Sequence, residues 1–138
     1  MRTAIDTNVI SAIWSGERSA RTLIADLGAA AERGGLVICP VVYAELLAYP
    51  GATGAFVDRF LSDTRLAIDW VIGREIWEKA AERFSAYAER RRRNGSESKR
   101  LIADFLIGAH ALLQADQLMT MDRARYRADF GELTIAGS

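Results

Sequence analysis

The chain has 138 residues, half of them hydrophobic, and its 18 Lys and Arg balance 18 Asp and Glu. That size suits one globular unit burying roughly two thirds of its unfolded surface, and the zero net charge argues against a binder working by bulk electrostatics, so any grip on a polyanion must come from a local patch or a bound cation. A single cysteine, Cys39 in the apolar run LVIC, excludes an intrachain disulfide; no segment reaches the roughly 20 apolar residues of a membrane span, and the start MRTAIDTNVI lacks a secretion signal's apolar core, so a reducing cytoplasm is the expected compartment.

Short β-prone runs alternate with longer helical patterns, the arrangement of βαβ units around a parallel sheet covered on both faces. Residues 3–7 form the first expected strand. Residues 17–33 follow as a helix, with Ala20, Leu23, Ile24, Leu27 and Ala31 at helical spacing and Gly34-Gly35 as the stop. LVIC, 36–39, is the second strand, and Pro40 opens a helix to about Tyr49, its missing N–H having no partner at that position in any case.

A helix over 52–64 leads to the third strand, LAIDW, 66–70. Ile72, Ile76, Ala80, Phe84 and Ala88 then lie on one stripe of a long helix that is expected to fray through RRRRNGSESKR, 90–100. An apolar helix over 101–115 carries Asp104 and His110, LMTM at 118–121 is the fourth strand, a short helix spans 124–130, and LTIA supplies a last strand. No repeat, low-complexity tract or long linker divides the chain, which reads as one α/β unit over 1–138.

Most of the acids need no special account, since Glu75, Glu78, Glu82 and Glu89 lie on a polar helix face. Four others sit among apolar neighbours. Asp6 ends the first strand, Glu45 lies among Val41, Val42, Ala44, Leu46 and Leu47, Asp104 interrupts LIADFLIGA, and Asp122 follows the fourth strand. In a parallel sheet the strand C-termini share one edge, where ligands bind, so Asp6 and Asp122 should meet there with Glu45 and Asp104 leaning over. Such carboxylates would repel one another unless a cation intervened. Oxygen ligands suit Mg²⁺ or Mn²⁺, and one His and one Cys offer zinc little. Cations so held activate water against a phosphodiester. Another role stays open for three of the acids, since Asp6, Asp104 and Asp122 each stand where a helix cap or first-turn acid would.

At these residues the chain resembles the PIN-domain nucleases, and within them the short bacterial VapC-type toxins. Asp6-Thr7-Asn8 matches the family's opening D-T-N, Glu45 its helical glutamate, Asp104, Ile107, Ala109 and Ala111 its D-x-x-I-x-A-x-A helix, and Thr120 with Asp122 its T-x-D element. Two positions depart from the pattern: Ala103, where proline or asparagine is frequent, and His110, where small residues are. The resemblance implies a three-layer α/β/α domain with five parallel strands in the order 3-2-1-4-5. It also implies a Mg²⁺- or Mn²⁺-dependent endoribonuclease acting on tRNA or ribosomal RNA, a homodimer, and a cognate antitoxin. Asp6, Glu45, Asp104 and Asp122 become the catalytic metal ligands.

Around those acids, Thr7, Asn8 and Thr120 have side chains suited to orienting carboxylates and waters, or equally to capping and turn formation. Lys99 and Arg100, the cations nearest Asp104 in sequence, are candidate RNA phosphate contacts, and Arg90 to Arg93 read as a solvated helix end, a contact to RNA, or a seat for an acidic antitoxin segment. Asp116 is left as a helix terminator, and His110 as a part-buried, hydrogen-bonded residue. Two other functions fit less well: a PIN-fold module that binds RNA or protein without catalysis, and a phosphorylatable receiver domain, which would need paired acids after the first strand and a lysine after the last. Here Thr7 follows Asp6, and the lysines are Lys79 and Lys99.

Overall fold

The computed structural model describes residues 1–95 and 100–137. Its sheet is built from four short segments, Thr3–Ile5 (β1), Leu36–Ile38 (β2), Leu66–Ile68 (β3) and Gln117–Met119 (β4), all parallel, in the order β3-β2-β1-β4. β1 and β2 are buried at every residue, which requires helices on both faces and explains their unbroken apolar character. The expected fifth strand reduces to one bridge between Leu118 and Ile135, flanked by Leu118 N–H to Thr134 O and Ala136 N–H to Leu118 O. The bridge is parallel, and among the described residues no ladder extends from it.

The helices among the described residues are Thr7–Trp14 (α1), Ala20–Arg33 (α2), Pro40–Leu47 (α3), Gly54–Thr64 (α4), Arg74–Asn94 (α5), Ile102–Gln114 (α6) and Arg123–Asp129 (α7). α1 is not foreseen as a separate element. Its eight residues include β-branched Thr7, Val9 and Ile10, and its helicity comes from burying Val9, Ile10 and Ala12 rather than from propensity. Pro40 opens α3 as expected, and Thr53 caps α4 by accepting Phe56 N–H at 3.1 Å. α5 does not fray at residue 90: it runs to Asn94, tied by Arg90 to Asp129 at 2.8 Å and by Arg92 to Glu89 at 2.5 Å, and stops at Gly95 with φ 69°. No helix among the described residues is long and apolar enough to cross a membrane.

α6 is the central helix, with every residue from Phe105 to Ala111 buried. Each large apolar side chain so enclosed contributes about 1.5–3 kcal/mol, enough for the helix to tolerate Gly108 and His110. The His110 imidazole is wholly buried, with Nε2 at 2.8 Å from Asp69 Oδ2, while Arg2 reaches Asp69 Oδ1 at 2.6 Å. Burial pushes the His110 pKa down against the pull of Asp69, so the expected hydrogen bond is present and the ring is enclosed rather than displayed to a partner. Asp116, instead of merely ending α6, accepts Arg2 N–H at 2.6 Å.

Two glycines mark close approaches. A side chain at Gly34 would strike the backbone of Met1, whose amino group donates to Arg33 O at 3.0 Å, so this residue admits the chain start as well as ending α2. A Cβ at Gly108 would enter the ring of Phe130, itself fully buried. Gly108→Ala is therefore expected to lose about 1–3 kcal/mol by overpacking despite alanine's better helix propensity; a denaturant midpoint equal to the parent's would show that the ring moves freely.

Candidate active site

The strand order reverses between β1 and β4, and a crevice at the carboxyl ends of the strands is where open α/β sheets bind ligands. Asp6 leaves β1 at this point, its N–H still paired to Met119 O of β4 at 3.0 Å. It occupies the N-cap position of α1 but makes no side-chain cap. Instead its Oδ2 accepts Thr120 Oγ1–H at 2.7 Å, and the residue is 5% exposed. Burial raises the Asp6 pKa to about 6; hydrogen bonds from Thr120 and from Thr7 N–H oppose the rise, and the Asp104 charge adds to it. The buried Tyr126 hydroxyl lies beside both acids, and although no hydrogen bond of ordinary geometry engages it among the described residues, it eases the Asp6 charge slightly.

Asp104 stands in the first turn of α6, where the helix dipole favours an acid, and its Oδ2 accepts Leu101 N–H at 3.3 Å. That is half of a capping box, since leucine offers no acceptor in return. The same oxygen lies 3.7 Å from Arg100 Nε. Glu45 is half-buried near the C-terminus of α3, an unfavourable end for a negative charge, and Thr7 Oγ1–H donates to its Oε1 at 2.6 Å. Asp122 is exposed; it precedes α7 without capping it, its N–H donates to Thr120 Oγ1 at 3.0 Å, and its Oδ2 is 3.8 Å from Arg125 Nη1.

The three polar residues singled out beside the acids form a connected set. Thr7 holds Glu45, Thr120 holds Asp6, and Asn8 links the two strand ends, with Nδ2 at 3.5 Å from Thr120 Oγ1 and Oδ1 accepting Met121 N–H at 3.1 Å. Asp6 and Asp104 thus come together, Glu45 is tied to the same corner through Thr7, and Asp122 stands at the rim. Among the described residues no three carboxylate, imidazole or thiol groups are arranged to hold a metal ion as they stand. Four acids in one cluster were expected. In the structure each acid has its own partner instead: Glu45 turns to Thr7, Asp6 to Thr120, Asp104 to Leu101 N–H and Arg100, and Asp122 to Arg125.

Of the two cations expected to contact RNA, the structure bears on one. Lys99 lies outside the described residues. Arg100 was expected to meet RNA phosphate, and instead its side chain is 4% exposed, paired with the equally enclosed Asp129. Its charge is consumed inside the protein, where it also gives Asp104 a basic neighbour at 3.7 Å. Sequence reading missed Tyr126 and Asp129. The signals were faint: Tyr126 follows Asp122 by one helical turn, and Asp129 is an acid on the same buried face of α7.

The donor set fits a hard divalent cation. It offers only oxygens, and Asp6 is a desolvated acid whose ionised form such an ion would stabilise. A site with few protein ligands is ordinary for Mg²⁺, which keeps several waters.

In overall shape the chain is similar to VapBC2 of Rickettsia felis, solved bound to a DNA fragment from its promoter, with TM-score 0.69, 19% identity, and coverage of 98% of this chain and 97% of that one. It is also similar to VapBC-1 of nontypeable Haemophilus influenzae, with TM-score 0.66, 19% identity, and 98% and 96% covered. A toxin–antitoxin complex from Klebsiella pneumoniae gives TM-score 0.60, 20% identity, and 98% and 91% covered. At these identities the likeness speaks for the fold. A search of curated proteins finds no match. The family described as PIN domain matches residues 3–131, nearly the whole length over which the sheet, α6 and the carboxylate corner are built, and this chain belongs to the PIN domain family.

Proposed function

We propose that this protein is a Mg²⁺- or Mn²⁺-dependent endoribonuclease, the toxin of a toxin–antitoxin pair, acting on tRNA or ribosomal RNA. The observation that carries the reading is Asp6: a carboxyl buried at the sheet's switch point, raised to a pKa of about 6 by that burial and by Asp104 beside it. Burying an acid costs stability, and a binding site for a cation is a reason to keep it. Asp6 and Asp104 would hold the ion, with Glu45 and Asp122 as further oxygen donors. Bound there, the cation would supply Lewis acidity toward the phosphate and bring the pKa of a water toward neutrality.

The remaining work falls to this chain's own groups. Thr120 fixes the Asp6 carboxylate, Thr7 fixes Glu45, and Asn8 locks β1 to the turn after β4, so that the acids keep their spacing when a polyanion approaches. The antitoxin is proposed from the likeness to toxin–antitoxin complexes, and the homodimer from the family resemblance.

The direct test is incubation of the purified protein with tRNA and with ribosomal RNA in Mn²⁺ or Mg²⁺, against the same mixtures in EDTA. Discrete fragments are expected only with metal. Cleavage that survives exhaustive chelation would overturn the mechanism, and metal-loaded protein that binds RNA without cutting it would make this a non-catalytic member of its family.

A further inference from the structure

Arg100 is enclosed as few arginines are. Its side chain is 4% exposed, and Nη1 bonds Asp129 Oδ2, an acid whose side chain is 1% exposed and whose other oxygen takes Arg90 Nη2 at 2.8 Å. The guanidinium carbon lies 5.0 Å from the Phe105 ring centre and 5.2 Å from that of Tyr126, and Nη1 also reaches Arg125 O at 3.3 Å. Backbone N–H of the same residue donates to Tyr87 Oη at 2.7 Å. α5, α7 and both rings thus hold one planar group in one orientation.

A pair whose purpose was only structural would leave no donor idle, because an unsatisfied buried N–H is costly. Here Nε has no hydrogen-bond partner among the described residues, and it lies 3.7 Å from Asp104 Oδ2. That separation is too long for a hydrogen bond and short enough for a strong charge interaction. Leu101 N–H approaches the same oxygen at 3.3 Å. Oδ2 is therefore engaged on the protein side, while Oδ1 accepts no hydrogen bond among the described residues.

We propose that Arg100 is a positioning residue of the metal site: its buried guanidinium, fixed by Asp129, Phe105 and Tyr126, holds Oδ2 of Asp104 and leaves Oδ1 as that residue's single donor to the divalent cation. The inference rests on the metal-dependent reading above. It explains why a buried ion pair, seldom a net gain in stability, joins Arg100, just before α6, to α7 beside this acid. It also gives the nearby carboxylates a fixed countercharge that tempers their repulsion without occupying the place of the cation.

The test uses the full ¹⁵N-labelled chain, with the Arg100 Nε–Hε resonance assigned through bonds and followed during a Mg²⁺ titration. The resonance is expected to shift with the same midpoint as the heat of Mg²⁺ binding, and to stay still in Asp104→Asn. A resonance that stays still in the parent while calorimetry shows Mg²⁺ bound overturns the inference and leaves the functional reading standing. No heat and no shift at millimolar Mg²⁺ overturns both.

In a second arm, Arg100→Lys and Asp129→Asn are titrated with Mn²⁺ by electron paramagnetic resonance, and should bind it about tenfold or more weakly, the usual cost of losing a ligand's support, with kcat reduced and KM for RNA unchanged. Folded variants with the parent's Mn²⁺ affinity would reduce Arg100 to packing. Should neither variant fold, the parent titration decides alone.

Discussion

Asp6→Asn and Asp104→Asn are each expected to lower RNA cleavage by about 100-fold or more at saturating Mn²⁺, with the circular dichroism spectrum unchanged. The substitution keeps the shape of the side chain and removes the charge. At position 6 the amide oxygen can still accept Thr120 Oγ1–H, now at 2.7 Å from the carboxylate, so the β1–β4 corner should hold and only the site's affinity for a cation should fall. Asp122→Asn should cost less, because its side chain is 48% exposed and pairs at 3.8 Å with the part-exposed Arg125. The measurement is kcat/KM on one RNA under single-turnover and steady-state conditions. A loss of only a few-fold at position 6 or 104 would remove that acid from the cation's ligands.

In EDTA, Asp6→Asn should be more stable than the parent at pH 7.5, against the usual direction for a buried substitution. The parent's Asp6 has an ordinary pKa of 3.8 when unfolded and about 6 when folded. Between those values the folded state holds a proton that the unfolded state has released, so stability falls as pH rises. The contribution is complete below pH 3.8 and has been lost once pH passes about 6. At about 1.4 kcal/mol for each pH unit, the loss is about 3 kcal/mol. Asparagine does not titrate, so the two proteins should melt alike near pH 4 and diverge by roughly 10 °C at most above pH 6.5. Saturating Mg²⁺ should reverse the order, since a ligand at a hundredfold excess over Kd adds about 2.7 kcal/mol to the protein that binds it. Parallel pH profiles for the two proteins in EDTA would mean that Asp6 carries no burial penalty.

From the sequence, relief of like-charge strain would be expected at Asp104 too. In the structure that acid has Leu101 N–H and the Arg100 guanidinium beside it, while the penalty on Asp6, whose own hydrogen bonds come from uncharged groups, is first of all its burial, with the Asp104 charge a smaller contribution. The difference is one of partners, and partners distant in sequence are what a motif does not display.

Sequence alone was enough for those features that depend on local physics. Apolar runs too short for helices marked β1 to β4, helical spacing marked α2 to α6, and Pro40 marked the start of α3, because periodicity and backbone restriction act within a few residues. Acids placed against that apolar pattern singled out Asp6, Glu45, Asp104 and Asp122, of which the structure buries Asp6 and leaves Asp122 exposed, and the T-x-D and D-T-N elements pointed to their hydroxyl and amide neighbours. Tertiary structure decided the rest. α1 is a helix because the core takes Val9 and Ile10, and the last segment pairs with β4 through one parallel bridge instead of a full strand. Arg100, which local sequence presents as a surface cation beside a basic run, is turned inward because α7 brings Asp129 and Tyr126 to meet it. Charge burial depends on what arrives from elsewhere in the chain, and the acid lies 29 positions further along the chain than its arginine with no local pattern to announce the pairing.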